Sequence, residues 1–178
     1  MARITIFGLA GTGTSTVGRA LAEKLGYQFV SSGDMFRKKA KDMGLDLSKL
    51  QERAKGNSAF DQELDREIGK IGEEKDNIIV ESRLAWHFIP NSIKIKLSCD
   101  FEVRVKRLAE RDHLSFEQAE VHVREREKVD DERYQKFYGI ENINNDSHFD
   151  LIIDTTMTNP AEIVGQISTF IKKDFQDT

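Results

Sequence analysis

The spacing of apolar positions changes repeatedly along the chain, and each change marks an element. Arg3-Ile4-Thr5-Ile6-Phe7 is a β-rich run that stops at Gly8, which predicts a strand and then a turn. Thr16 to Leu25 reads as a helix ended by Gly26. Tyr27 to Val30 predicts a second strand, and Gly33 to Met43 a helix with Gly44 as its stop. A polar helical stretch then runs to about Glu74. Asn77 to Glu81 contains Ile-Ile-Val and reads as a buried strand. Ile93 to Ser98 alternates apolar residues with lysine and predicts another, and Phe149 to Asp154 the last. Phe101 to Arg111 and Ser115 to about Lys136 are helical. The final helix has a start signal: Asn159 caps it, Pro160 takes its first position and Glu162 completes the box.

Strands alternating with helices imply a parallel sheet covered on both faces. The expected fold is a three-layer α/β domain with a five-stranded parallel sheet, spanning residues 1–178. Two charged helical stretches, residues 45–74 and 112–138, fall outside that core and read either as movable flaps or as ordinary solvated helices. A hydrophobic share of 38% supplies one core, and a charged share of 33% a heavily solvated surface. The formal net charge of -4 gives no overall basic excess for a nucleic-acid surface. A single cysteine, Cys99, excludes an internal disulfide and argues against a thiolate metal site. His87, His113, His122 and His148 show no metal-ligand spacing with each other. No apolar run has the length of a signal peptide core or a membrane span, so the chain is expected to be soluble, cytoplasmic and monomeric.

Gly8-Leu9-Ala10-Gly11-Thr12-Gly13-Thr14-Ser15 follows a strand and precedes a helix, the setting a phosphate loop requires. Its glycines let backbone N–H groups turn toward phosphate oxygens, and the helix adds its positive end. Ser15 stands where a hydroxyl would ligand Mg²⁺. Thr14 stands where such loops usually carry lysine, so positive charge must come from elsewhere. A nucleoside triphosphate and a monophosphate carry roughly six negative charges, of which one Mg²⁺ cancels two, leaving about four cationic side chains to converge on the site. Arg37, Arg83, Arg107, Arg111, Arg124, Arg126 and Arg133 are the candidates.

Ser31-Ser32-Gly33-Asp34-Met35-Phe36-Arg37, taken with Gly8 to Thr16, resembles the nucleoside monophosphate kinases, and among them the compact archaeal-type cytidylate kinases. Their loop reads Gly-Ser-Gly-Thr-Thr-Thr, also without lysine, where this chain has Gly11-Thr12-Gly13-Thr14-Ser15-Thr16. Phe60 to Arg66 is similar to the family's Asp-x-x-Leu-Asp-Arg segment. Val80-Glu81-Ser82-Arg83-Leu84-Ala85 is similar to its Leu-Glu-Gly-Arg-Leu-Ala, with serine for glycine. Arg126-Glu127, Asp130, Arg133-Tyr134 and Tyr138-Gly139-Ile140 follow its Arg-Glu…Arg-Tyr…Tyr-Gly-Ile stretch.

The resemblance implies a P-loop kinase fold with a helical acceptor-binding insertion (45–74) and a short helical lid (112–138). It implies ATP as donor with Mg²⁺, and CMP with dCMP as acceptors. Gly8 to Thr16 and Arg107 would hold ATP. Ser32, Gly33, Arg37, Asp65, Arg83 and Asp130 would hold the acceptor. As catalytic residues, Arg126 and Arg133 would clamp the phosphates from the closed lid and Arg111 would reach the donor phosphates. Simpler structural readings stand beside these: Arg37 as a surface arginine, Arg83 in a salt bridge with Glu81 or Asp34, and Asp65 and Arg66 in surface pairs. Arg104 and Arg124 read as parts of a solvated helix face, and Trp86 and Phe88 as core or pocket wall. AMP, UMP or a small metabolite as acceptor, or a regulatory nucleotide-binding module, remain alternatives.

Overall fold

The computed structural model describes residues 2–45 and 58–175. Residues 46–57 of the expected insertion, and the side chains of Phe60 and Asp61, lie outside the described residues. The chain runs β1 (Arg3–Gly8), α1 (Thr14–Leu25), β2 (Gln28–Ser31), α2 (Ser32–Asp42), α3 (Ser58–Glu74), β3 (Ile78–Glu81), α4 (Ala85–Phe88), β4 (Ile93–Ser98), α5 (Phe101–Asp112), α6 (Phe116–Tyr138), β5 (Leu151–Asp154) and α7 (Pro160–Phe175). The five strands form one parallel sheet in the order β2-β3-β1-β4-β5. The strands expected from the sequence are the strands found, within two residues at each end.

The sheet is buried on both faces, and its side chains sort with period two. Ile4, Ile6, Ile79, Ile93, Ile95, Leu97 and Ile153 point to one face, where Val17 and Leu21 of α1 and Ile163, Ile167 and Ile171 of α7 cover them. Ile78 and Val80 point the other way, against Leu64 and Ile68 of α3. Phe7 meets Leu84, Trp86, Tyr134 and Ile143 on the same side. Burying each such aliphatic side chain contributes about 1.5–3 kcal/mol. Trp86 is therefore core, stacked on His148 at 4.2 Å and edge-on to Phe149.

Strand β4 departs from the simple expectation. Its alternating lysines suggest a wet face, yet Lys96 is buried, its ammonium 2.6 Å from both the Asn144 carbonyl and the Asp146 carboxylate. It fastens the segment that follows α6 to the middle of the sheet. Helix α3 is likewise no purely solvated helix, since Leu64 and Ile68 enter the core. Asn159 caps α7 as expected, its side-chain oxygen accepting from the Glu162 N–H at 3.0 Å. Among the described residues no helix is long and apolar enough to cross a membrane.

Candidate active site

Parallel strands end together, so Gly8, Ser31 and Glu81 deliver the segments that follow them to one edge. The 9–13 turn is held from inside. Thr12 is almost fully buried, and its N–H and hydroxyl both reach the Leu9 carbonyl, at 3.2 and 2.8 Å. Its own carbonyl accepts from the Thr155 hydroxyl at 2.9 Å. Gly11 and Gly13 both have φ near +88°, a left-handed turn that L side chains rarely adopt. At Gly11 a Cβ would also lie 2.7 Å from the Arg104 carbonyl oxygen. Gly13 caps α1, whose first turn leaves the N–H groups around Thr14, Ser15 and Thr16 without helical acceptors. Gly8, Leu9, Ala10, Gly11, Thr12, Gly13, Thr14, Ser15 and Thr16 thus form a closed turn that opens onto the N-terminus of α1, a setting that suits phosphate oxygens.

Glu81 is the residue that the sequence reading passed over. Its carboxylate accepts from Thr14 Oγ1 at 2.9 Å, Ser15 Oγ at 3.2 Å and Ser31 Oγ at 2.5 Å. The position that carries lysine in most such loops thus supplies a hydroxyl to an acid. The position of Glu81, at the end of an apolar strand next to the loop strand, was the available signal. Ser31 rather than Ser32 caps α2, accepting from the Asp34 N–H at 3.4 Å. Ser32 and Gly33 open the helix beside it.

Four guanidiniums meet above the loop. Arg83 and Asp130, each with 14% of its side chain exposed, form a close ion pair. Arg133 Nη2 lies 3.5 Å and Arg126 Nε 3.9 Å from the same carboxylate. Arg83, Arg111, Arg126 and Ala10 line one cleft of about 70 Å³. Leu9, Arg83 and Asp130 line a second, of about 220 Å³. The Arg83 charge pulls the Arg126 pKa down to about 10, and Arg111 and Arg133 add to the effect. Lost solvent also lowers it, but the Arg126 side chain keeps 58% of its surface open, so like-charge crowding is the larger cause. Such crowding favours an anion. The alternative pairing of Arg83 with Glu81 or Asp34 is not what the structure shows.

The other expected residues are placed less directly. Arg111 is exposed and turns to Asp112, which takes two hydrogen bonds at 2.7 Å and raises its pKa. Arg107 is spent on the framework: it donates to the carbonyls of Gly11 at 3.3 Å and Thr155 at 2.8 Å. Arg37 is held by Asp34 at 2.6 Å, half-exposed on α2. Asp65 is buried and accepts from the Tyr138 hydroxyl at 2.9 Å, which joins α3 to the end of α6. Arg66 reaches only Gln62 on its own helix in the contacts described. Arg124 stays on the solvated face, paired with Glu120 at 2.8 Å. Arg104 does not: only 5% of its surface is exposed, because α5 packs it between the loop and α6.

Comparison with known proteins bears on the family and the fold. The model of the cytidylate kinase-like family matches residues 3–157. The cytidylate kinase of Natronomonas pharaonis is 42% identical over 170 residues, covering 94% of this chain and 88% of that protein. That of Methanothermobacter thermautotrophicus is 37% identical over 152 residues, covering 85% and 94%. Among solved structures, the shikimate kinase from Acinetobacter baumannii superposes with a TM-score of 0.69 at 20% identity, covering 98% of this chain and 95% of that one. At that identity the likeness speaks for the fold, a P-loop kinase fold.

Proposed function

The chain belongs to the cytidylate kinase-like family, and on that premise we propose that it transfers the γ-phosphoryl group of ATP to CMP, giving CDP and ADP. The same reading extends to dCMP, which carries the same base and phosphate. The observation that carries it is the convergence of Arg83, Arg111, Arg126 and Arg133 over a lysine-free phosphate loop. Asp130 pairs with three of them and Asp112 with the fourth, so they meet the roughly four charges that a triphosphate, a monophosphate and one Mg²⁺ leave uncompensated only as phosphate takes the place of those carboxylates.

The Ser15 hydroxyl and the Glu81 carboxylate, 3.2 Å apart at the mouth of the loop, are hard oxygen donors of the kind Mg²⁺ takes. Among the described residues no three His, Cys, Asp or Glu side chains close on one point. A cation here would therefore lean on phosphate oxygens and on Ser15, with Glu81 behind. When bound, it would neutralise charge between the β- and γ-phosphates.

The remaining steps belong to the chain. The N–H groups of residues 13–16, at the start of α1, hold the donor phosphates. A CMP phosphate oxygen attacks the γ-phosphorus, the bond to the bridging β–γ oxygen breaks, and ADP leaves with that electron pair. A phosphate nucleophile needs no strong base, so positioning and charge stabilisation dominate. Arg111, Arg126 and Arg133 act on the transferring group, and Arg83 on the acceptor phosphate, with Asp130 holding Arg83, Arg126 and Arg133 together. Ser32, Gly33, Arg37 and Asp65 border the acceptor, and Arg37 must leave Asp34 to reach it. The two clefts are smaller than the ~300 Å³ at which small-molecule sites begin. Substrates therefore enter by parting α6 from the loop, and its return excludes water.

The test offers the purified protein Mg²⁺ and ATP with CMP, dCMP, UMP, AMP or GMP in turn and measures ADP and nucleoside diphosphate. Conversion of CMP and dCMP with little of the others is expected. Conversion of a different monophosphate would overturn the acceptor, and ATP binding without transfer to any would overturn the reaction.

A further inference from the structure

Arg104 sits where the phosphate loop, α5 and α6 meet. Its Nη1 donates to the Ala10 carbonyl of the loop at 3.1 Å and to the Glu127 carboxylate of α6 at 2.7 Å. Its side chain is 6% exposed and that of Glu127 23%. The loop also presses on the backbone of the same residue, since a Cβ at Gly11 would meet the Arg104 oxygen, Cα and Cβ at 2.7, 2.9 and 3.0 Å. Around it Ala10 packs with Val105 and Leu108 of α5 and with Ala119 and Val123 of α6. Glu127 follows Arg126 directly and lies one turn before Asp130 on the helix that also carries Arg133. One buried nitrogen therefore bridges a loop carbonyl to the helix that carries the phosphate-facing guanidiniums. Arg104 Nε is buried without a hydrogen-bond partner, and the guanidinium lies over the Phe101 ring, 5.4 Å from its centroid, so the two bonds from Nη1 are its hydrogen bonds to loop and lid.

We propose that Arg104 is a positioning residue that couples the phosphate loop to the lid helix, so that a filled loop and a correctly set α6 favour each other. It touches neither substrate. A donor phosphate that draws the loop into place fixes the Ala10 carbonyl. Through Nη1 and Glu127 this fixes the height of Arg126 and Arg133 above the transferring group. Both hydrogen bonds come from one nitrogen, so an ammonium at that point could make both, and lysine should replace arginine better here than at a forked site.

The experiment uses the full chain and the variants Arg104→Met, Arg104→Lys and Glu127→Gln. Backbone hydrogen exchange is followed with and without Mg²⁺ and ADP, which engages the loop and no acceptor site. In the unsubstituted protein ADP should slow exchange in residues 8–16 and also in α6. Arg104→Met should keep the protection of the loop and lose that of α6, and Arg104→Lys should bring it back. The inference rests on the phosphotransfer reading for its kinetic arm alone. There, turnover should fall about ten- to hundredfold in Arg104→Met at a near-constant KM for ATP, as misplacement by a fraction of an ångström would cause. Adding Glu127→Gln to Arg104→Met should change little more. Unchanged α6 protection in Arg104→Met would overturn the proposal. So would equal loss of protection in loop and lid alongside a lowered Tm, or additive effects of the two substitutions. If Arg104→Met fails to fold, Glu127→Gln carries the same comparison, with loop protection kept and α6 protection lost as the expected result and unchanged α6 protection as the overturning one. Failure of the unsubstituted protein to phosphorylate CMP would sink the proposed reaction and leave the exchange result to decide this one.

Discussion

Asp130→Asn tests whether the arginine cluster is built for an anion. Arg83, Arg126 and Arg133 all turn to this carboxylate, and asparagine keeps its shape while removing its charge. At the 3.5 Å between Arg133 and Asp130, two unit charges attract by about 5 kcal/mol at an effective dielectric of about 20. Arg126, with 58% of its side chain open, adds little after solvent screening. Arg83 and Arg133, at 14% and 19%, are the pairs that count. Desolvation and guanidinium repulsion offset much of the attraction, and removing one partner of such a buried group costs about 3 kcal/mol. At this chain length that is a fall of about 6–12 °C in Tm. A cluster built for phosphate should accept phosphate in place of the lost carboxylate. Thermal melts in millimolar inorganic phosphate or pyrophosphate should therefore recover most of the loss in Asp130→Asn and raise the parent far less. Sodium chloride at equal ionic strength should recover only the screened part. A Tm within about 1 °C of the parent would refute the charge argument, since that is well below the effect of one buried pair. A large fall that phosphate does not reverse would show that Asp130 stabilises the fold by other contacts.

Further outcomes follow from other parts of the site. Glu81→Gln takes an acceptor from the hydroxyls of Thr14, Ser15 and Ser31. Turnover should drop about a hundredfold, with more Mg²⁺ needed for half-saturation, and unchanged turnover and Mg²⁺ dependence would refute the assignment. Gly11→Ala and Gly13→Ala each force a Cβ into left-handed backbone, at about 1–2 kcal/mol, but only position 11 also meets the Arg104 backbone, so its Tm should fall further. Equal falls would contradict that close approach. His87 keeps an exposed face, but the solvent it does lose, with the nearby charge of His148, lowers its pKa, so the unfolded chain takes up this proton more readily than the folded one. The stability that neutral His87 allows is complete above its unfolded pKa of about 6.5 and is lost as pH falls through it, levelling off below the folded value. His87→Gln should flatten that limb of a pH-dependent melting series, and an unchanged slope would exclude His87 as its source.

Much of this was legible in the sequence because the signals were local. Period-two apolar runs, glycine stops and the Asn159-Pro160-Glu162 start each act within a few residues, and all appear as elements of the fold. The phosphate loop was legible for the same reason. Three features were hidden by long-range contact. The burial of Lys96 depends on chain 48 and 50 residues away, at Asn144 and Asp146. Arg104 looked like one more charge on an amphipathic helix, and only the packing of α5 between loop and α6 makes it a bridge. The role of Glu81 was masked by Arg83 two residues on, which drew attention as the charged end of the strand. In the structure the two point apart, the acid to the loop hydroxyls and the base to Asp130.

That division explains how a loop without lysine can work. A lysine at position 14 would carry its charge into the loop whether or not the lid was in place, and beside Glu81 it would pair with the acid. With threonine there, Glu81 gathers hydroxyls and the loop mouth stays free of fixed positive charge. On the proposed reading, Arg126 and Arg133 then reach the transferring group only with α6, and Asp130 holds them until phosphate takes its place. Charge stabilisation and exclusion of water are thereby delivered by one movement, so an open site lacks the means to pass the γ-phosphoryl group to solvent. Thr14→Lys separates the two. It should leave transfer to CMP no faster, because lid arginines already act on those oxygens, while ATP hydrolysis without acceptor should rise relative to transfer. A faster transfer with no rise in hydrolysis would mean that the lid arginines do not carry the charge.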